Sequence, residues 1–357
     1  MSEYTNDTKK DIASVSEVLR VRDAFAEPRA MSYIPTDPAQ LLIDDKRLRM
    51  LSYFVGGDVN KLSDYELFFE FVSNLDAMQG SAEKETFLEE LKLLYSDCVL
   101  ENIADPKELW KSLCEKMSIE NCNFGEKTKE ISQYEKINSL RIFTNIDNFA
   151  KYSDFVEDQL EKIKNSDFEY AVADISVLNF SRTDDFHAAT AYEKYRAGDS
   201  DAKSEALSGA LYRTLSAIKS TNKILLLNIG DNYSSAEQMI GYFRARDIMP
   251  STVIFARDAA RKSAERLCGV YKGARGEFSI LSGVLCYEGD TVRDIKNRVL
   301  DISAVYPIGK LFIGGAPTES PFVAARHSIL KRGIAEAICE LSRDREEQLR
   351  IAEYMSK

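Results

Sequence analysis

The sequence KLFIGGAPTESPFVAARH, residues 310–327, decides the fold class. It opens with the short apolar run Leu311–Ile313, which is followed by Gly314-Gly315 and therefore indicates a buried strand that ends in a tight turn. Polar residues come next, and the spacing of apolar residues over Phe322–Leu341 predicts a helix. A buried strand, a polar turn and a returning helix form the repeating unit of a βα barrel, in which the loops after the strands carry the chemistry.

Other short apolar runs have the same character. They are residues 15–22, Leu140–Thr144, Tyr170–Val177, Lys223–Ile229, Thr252–Phe255 and Phe278–Cys286. The first of them fits a strand or a short helix, and we favour the strand. Helical periodicity lies between most of the later runs, over residues 154–164, 202–219, 235–246, 258–271 and 291–304. This alternation predicts a parallel sheet with right-handed crossovers.

The strand count leaves two architectures open. Seven strands are one short of a closed (β/α)8 barrel of the TIM type, so either one strand is unrecognised or the sheet is open. We favour the barrel, in a distorted form if necessary, because polar residues suited to one common mouth follow most of the strands.

A helical block interrupts this α/β pattern after the first strand. Its amphipathic segments are Pro38–Phe54, Ser63–Leu75, Ala82–Tyr95 and Pro106–Ile119. Each has apolar residues three and four positions apart, and no strand-like alternation separates them. We therefore predict a barrel built from residues 1–36 and 139–357, with an all-helical domain inserted at residues 37–138.

Composition restricts the classes of partner and the cellular compartment that we expect. A net charge of -11 argues against nucleic acid as a partner, because a phosphate backbone requires a basic face. The chain shows no apolar signal segment and no apolar run of membrane-spanning length, so we expect a cytoplasmic protein without a membrane partner. The six cysteines are scattered, which indicates reduced thiols. A homo-oligomer is compatible with the sequence.

The order of several motifs resembles the uronate isomerase family. In DDKRLRM, Asp44 and Arg49 keep the spacing with which that family opens an inserted helical domain. The strand AVADISV resembles a family strand that ends in Ser-Asp-His-Gly, with Asp174 kept. The strand LLLNIGDN resembles another, with Asn228 where the family has histidine. The segment TESPFVAARHSILKR resembles the one that follows the last family strand, with Arg326-His327 at the matching spacing.

This resemblance implies an amidohydrolase-type barrel that interconverts the aldose and ketose forms of a hexuronate such as glucuronate or galacturonate. Family members hold one divalent metal with an early His-x-His strand, a later histidine and an aspartate after the last strand. In this chain Arg20 and Arg22 take the first positions and Asn228 the next. Glu319 takes the last, or Pro317 does if the segment is counted back from Arg326.

The metal ligands implied by the resemblance are largely missing. Only His187 and His327 are histidines, and two residues cannot supply three imidazoles. We therefore expect no metal cofactor, while an oxygen-only site built from carboxylates is the alternative.

The candidate site residues follow from the chemistry of such a reaction, which needs a proton carrier and a group that polarises the carbonyl. The predicted proton carriers are His327, Asp174 and Glu319. Arg326 is predicted to hold the substrate carboxylate, because guanidinium groups bind carboxylates in a bidentate manner. Further substrate contacts are predicted for Asn228, Arg20 and Arg22.

Each of these residues also has a structural explanation, as a helix cap, a strand end or an exposed side chain. The expected partner is a small acidic sugar. The alternative function is a catalytically silent barrel that binds a sugar acid or a protein partner.

Overall fold

The computed structural model describes residues 6–25, 37–42, 45–95, 103–119, 134–143, 145–257, 280–287, 289–316 and 323–356. The α-helices in these ranges are α1 (Asn6–Val18), α2 (Asp45–Ser52), α3 (Asp64–Ser73), α4 (Ala82–Tyr95), α5 (Pro106–Ile119), α6 (Tyr152–Asn165), α7 (Asp185–Arg196), α8 (Ala202–Ser220), α9 (Tyr233–Arg244), α10 (Val292–Ser303), α11 (Val323–Leu341) and α12 (Arg345–Met355). The strands are β1 (Val21–Asp23), β2 (Tyr134–Lys136), β3 (Ser139–Arg141), β4 (Tyr170–Asp174), β5 (Ile224–Gly230), β6 (Thr252–Ala256), β7 (Ile280–Val284) and β8 (Phe312–Ile313).

Strands β3 to β8 form one parallel sheet in which each strand pairs with the next strand of the chain, whereas β1 and β2 form a separate two-stranded sheet. This order confirms the predicted parallel α/β fold. The crossovers in the described ranges contain α6 after β3, α7 and α8 after β4, α9 after β5 and α10 after β7.

The six-stranded sheet is curled. The Tyr170 ring of β4 lies 5.7 Å from the Phe312 ring of β8, which lies 5.9 Å from the Phe255 ring of β6. Strands β4 and β8 are four positions apart, so a flat sheet would separate them by roughly 19 Å at the usual strand spacing. The curl brings side chains of alternate strands together on the concave face, which gives this sheet the form of a half-barrel. Gly283 of β7 makes room, because a Cβ there would lie 2.2 Å from the Phe255 ring.

The opposite face of the sheet packs on helices. Alternate side chains of β5 (Leu225, Leu227 and Ile229) are fully buried in one apolar cluster with Leu215 of α8 and Phe243 of α9. The apolar runs of the central strands are continuous rather than alternating, because the sheet is covered on both faces.

The chain divides into two compact units. One consists of Met1–Glu135, Leu285–Asn297 and Gly315–Ser356, and the other of Lys136–Val284 and Arg298–Gly314. The second unit holds the curled sheet. The first has its own apolar core, to which α3, α4 and α5 contribute. The predicted limits of an inserted domain, at residues 37 and 138, stay a prediction.

The first predicted strand is partly wrong. The chain is helical up to Val18, and β1 covers only Val21–Asp23. The physical reason is visible in Ile12, Val15 and Leu19, which are buried at spacings of three and four residues and so form a helical face. The predicted helix over residues 258–271 lies outside the described residues. No helix in the described ranges is both long and apolar enough to cross a membrane.

Candidate functional site

A polar cluster lies at the carboxyl edge of the curled sheet. Asp174 is the last residue of β4 and pairs in register with Asn228 of β5. Asp174 shares the concave face with Tyr170, because side chains four residues apart on a strand point the same way. Asn228 is buried, whereas Asp174 is exposed. The structure thus brings together two predicted site residues at the edge where βα barrels carry their active sites.

Three hydrogen bonds fix the Asp174 carboxylate. Its Oδ1 accepts from the main-chain N–H of Ser176 at 2.9 Å and from the Ser176 hydroxyl at 2.6 Å. Its Oδ2 accepts from Nδ2 of Asn228 at 2.7 Å. The carboxylate therefore has a defined orientation while its side chain remains accessible to solvent.

The turn after β5 completes this cluster. The N–H of Gly230 donates to Oδ1 of Asn228 at 3.2 Å, and Gly230 has a φ of +52°. The Gly230 carbonyl accepts from the N–H of Arg257 at 2.8 Å, which places the main chain of Arg257 at the same edge. Nδ2 of Asn232 donates to the Ile175 carbonyl at 3.0 Å and so secures the turn after β4.

His327 belongs to a second cluster, in the unit that contains β1 and α11. Its Nε2 lies 2.7 Å from Oδ2 of Asp23, and both side chains are at most 2% exposed. Oδ1 of Asp23 accepts from the N–H of Phe25 at 2.9 Å. Gly315, with a φ of +85°, packs on this carboxylate, since a Cβ there would lie 2.8 Å from Cγ of Asp23. The imidazole is thus enclosed and paired with a carboxylate.

Arg326 precedes His327 on α11 and is 3% exposed. Its Nε and Nη1 have no hydrogen-bond partner among the residues that the structure describes. Because a buried guanidinium is costly unless acceptors surround it, these nitrogens are suited to bind an anion such as a carboxylate. Further along the same helix, burial lowers the pKa of Lys331 to about 8.

The other predicted residues are dispersed. Arg20 precedes β1 and is exposed, and its main-chain N–H donates to the Ser356 hydroxyl at 3.1 Å. Arg22 is the central residue of β1, so its side chain points away from the face that holds Asp23. Glu319 and Asp44 lie outside the described residues. The exposed His187 has its Nδ1 2.8 Å from Asp184, the N-cap of α7, which is a structural role.

The described residues at the implied metal-ligand positions do not fit a metal site. The Asn228 amide donates to Asp174, and the guanidinium groups of Arg20 and Arg22 have no lone pair to offer a cation. In the described part of the chain, no group of three or more histidine, cysteine, aspartate or glutamate side chains is arranged to hold a metal ion.

Sequence reasoning misses two members of these clusters. The contact of Ser176 with Asp174 could be predicted from the sequence. An Asp-x-Ser sequence at the end of a strand favours a turn in which the aspartate accepts a hydrogen bond from the residue two positions on. Asp23 has a weaker signal, a carboxylate in a strand too short to show alternation. Its partner His327 is far away in the sequence, and only the fold brings the two together.

Comparison with known proteins shows a shared fold. No protein-family model matches the sequence, and no curated protein matches it. Among solved structures, the uronate isomerase of Thermotoga maritima matches with a TM-score of 0.70 and 11% identity, over 100% of this chain and 98% of that one. The glucuronate isomerase of Caulobacter crescentus matches with a TM-score of 0.65 and 10% identity, over 100% of this chain and 94% of that one. At this identity the likeness shows the architecture, and it agrees with the fold that the motifs imply.

Proposed function

We propose that the protein is a divergent uronate isomerase that binds a hexuronate and interconverts its aldose and ketose forms. The observation that carries the proposal is the Asp174 cluster, an exposed carboxylate held by three hydrogen bonds at the carboxyl edge of a curled parallel sheet. The likeness in fold to two uronate isomerases, over the whole chain, supports the choice of substrate class.

The proposal includes a closed (β/α)8 barrel. Two features of the sheet support closure. Its strands follow one another in chain order, and side chains from β4, β6 and β8 meet on the concave face, as alternate strands do in the layers inside such barrels.

The proposed reaction moves a proton between the two carbons that exchange the carbonyl group, and the adjacent oxygens exchange a proton as well. Asp174 is the residue proposed to transfer the carbon-bound proton, because its carboxylate is accessible and oriented. His327 is less suitable, since its ring is fully buried against Asp23. Arg326 belongs to the other compact unit, and we propose it separately as a residue that binds an anionic group, because Nε and Nη1 of this buried side chain lack partners among the described residues.

A second candidate function is binding without turnover. The observation that favours it is the poor fit of the implied metal positions, where Arg22 and Asn228 replace histidines. In that case Asp174 only accepts hydrogen bonds from the hydroxyl groups of a sugar acid, and it moves no proton. A protein partner is the other ligand compatible with a silent barrel.

Turnover and binding assays test the proposal. The protein is incubated with glucuronate or galacturonate, with and without added divalent metal, while ketose formation is followed and calorimetry measures the Kd. Asp174→Asn keeps the size of the side chain but removes its ability to accept a proton, so kcat should fall by roughly 10²- to 10⁴-fold with little change in Kd.

Three results would change the assignment. Binding without turnover by the unmodified protein supports the second function. Full activity of Asp174→Asn removes Asp174 from the mechanism. The absence of both binding and turnover with every hexuronate tested would contradict both sugar-acid proposals.

A further inference from the structure

We infer that Ser176 and Asn228 are positioning residues that leave the Asp174 carboxylate one hydrogen-bond direction for a ligand, and that this direction lies on Oδ2. The inference rests on the proposed role of Asp174 as the proton carrier. It adds which oxygen acts and which neighbours determine this choice.

The acceptor positions of the Asp174 carboxylate are limited in number. An ionised carboxylate offers about four lone-pair directions, two on each oxygen. The N–H and the hydroxyl of Ser176 occupy both directions on Oδ1, at 2.9 and 2.6 Å. Nδ2 of Asn228 occupies one direction on Oδ2, at 2.7 Å. Within the described residues, one acceptor direction therefore remains, and it belongs to Oδ2 of an exposed side chain.

The orientation of the Asn228 amide is determined by its two hydrogen-bond partners. A side-chain amide has one accepting and one donating end, and the hydrogen-bond network determines which end points where. The N–H of Gly230 can only donate, and it lies 3.2 Å from Oδ1 of Asn228. The donating Nδ2 must then face Asp174. Asn228 is 3% exposed, so the amide has little freedom to turn.

The turn after β4 packs closely on the end of β5. Gly230 adopts a φ of +52°, and the pairing of β5 with β6 is irregular between Asn228 and Gly230. A Cβ on Gly230 would lie 2.9 Å from Cβ of Ser176. The absence of a side chain at residue 230 therefore lets the turn after β4 approach the turn after β5, and Ser176 reaches Asp174 within that turn.

These contacts restrict the ligand chemistry. A group that meets Oδ2 must supply a hydrogen, as a hydroxyl or an acidified C–H does. A carbonyl or carboxylate oxygen would face the negative charge and be repelled. The structure thus assigns to this position the hydroxyl-bearing, proton-donating side of the sugar rather than its acid group.

The test compares Ser176→Ala with a matched control. Ser176→Ala keeps the N–H donor and loses the hydroxyl, so Oδ1 gains a free direction and the carboxylate can turn. We expect kcat on a hexuronate to fall roughly 10-fold or more with KM changed less than about 3-fold, because a misplaced catalytic group slows chemistry more than binding. Ser153→Ala removes a similar serine–aspartate contact on α6, where the Ser153 hydroxyl lies 3.2 Å from Asp154, and should leave both constants unchanged.

A double exchange provides a second variant. Asp174→Asn combined with Asn228→Asp preserves a hydrogen bond between the two strands but moves the carboxylate to β5. The variant should fold with a melting temperature near that of the unmodified protein and should lose turnover. Undiminished turnover in this variant would overturn the assignment.

Crystal structures of the unmodified protein and of Ser176→Ala test the positioning role without an activity measurement. We expect Asp174 in one rotamer with three donors in the first structure, and a rotated or multiple conformation in the second. If the protein turns over no hexuronate, the proposed function fails, and these structures alone decide the positioning role. An Asp174 carboxylate that keeps its orientation in Ser176→Ala would overturn the inference, with or without activity.

Discussion

Lys331 shows the effect of burial on a single ionisable group. It is 6% exposed on α11, and burial lowers its pKa to about 8 although the charge of Glu17 opposes the shift. The unfolded chain therefore binds more protons than the folded chain between about pH 8 and 10.5, so stability should rise with pH over that interval.

Lys331→Met should raise the free energy of unfolding at pH 7 by about 1–3 kcal/mol, because it removes the cost of burying an ammonium group. It should also flatten the rise of stability above pH 8. Urea unfolding at pH 7 and 9.5 measures both effects. Lys9→Met, on an exposed part of α1, is the control and should change stability by less than about 0.5 kcal/mol. A Lys331→Met protein that is less stable at pH 7 would contradict this account.

Tyr152 and Tyr192 form a natural pair for comparing buried hydroxyl groups. The Tyr152 hydroxyl is buried and has no hydrogen-bond partner among the described residues, and burial raises its pKa. The Tyr192 hydroxyl lies 2.8 Å from the Ile146 carbonyl and 2.6 Å from that of Phe149. Tyr152→Phe should therefore stabilise the protein by about 1 kcal/mol, and Tyr192→Phe should destabilise it by about 1 kcal/mol. Thermal unfolding of the two variants should show shifts of opposite sign.

Individual site residues can be predicted where the pattern of neighbouring residues in the sequence is informative. Asp174 and Asn228 can be found because each is a polar residue in or near the last positions of an apolar strand, and parallel strands end at one edge. The enclosure of His327 cannot be predicted in this way, because it depends on Asp23 and on the turn at Gly315.

At the scale of helices, the contact of α7 with α8 depends on a glycine. A Cβ at Gly209 of α8 would lie 2.3 Å from Cβ of Ala188 on α7 and 2.9 Å from the Tyr152 hydroxyl. Gly209→Ala should therefore destabilise the protein by about 1–3 kcal/mol, because the helices must separate. Gly241→Ala on α9 is the matched control, since nothing lies within 4 Å of its Cβ position.

Gly241→Ala should stabilise by about 0.5–1 kcal/mol through helix propensity alone. Denaturant midpoints of the two variants measure the difference. Equal effects of the two substitutions would show that the close contact at Gly209 is unimportant.

Element bounds follow the strength of the local pattern. The predicted segments Ala82–Tyr95 and Pro106–Ile119 have the same bounds as α4 and α5, because their apolar spacing is regular. Helix α7 is not predicted from the sequence, although Asp184 caps its first turn, because its polar and small residues obscure the helical period. Strand β2 also lacks a prediction, since three residues are too few to show alternation.

At the scale of the whole molecule, the sequence predicts the order of the strands better than the curl of the sheet. Alternation of strands and helices is enough to predict parallel pairing in chain order. The curl depends on the contact of Tyr170 with Phe312, two residues far apart in the chain whose proximity no local pattern encodes. The family resemblance, built from weak motifs in the right order, agrees with the fold of the two isomerase structures. The activity remains the proposal that rests on Asp174.

The most direct measurement of that activity is a proton NMR time course of glucuronate and galacturonate with the unmodified protein in D2O. The account predicts growth of ketose signals, with deuterium entering the carbon next to the carbonyl where the proton exchanges with solvent, and loss of both signals in Asp174→Asn. The account would be contradicted if prolonged incubation with either sugar produced no ketose and no deuterium incorporation.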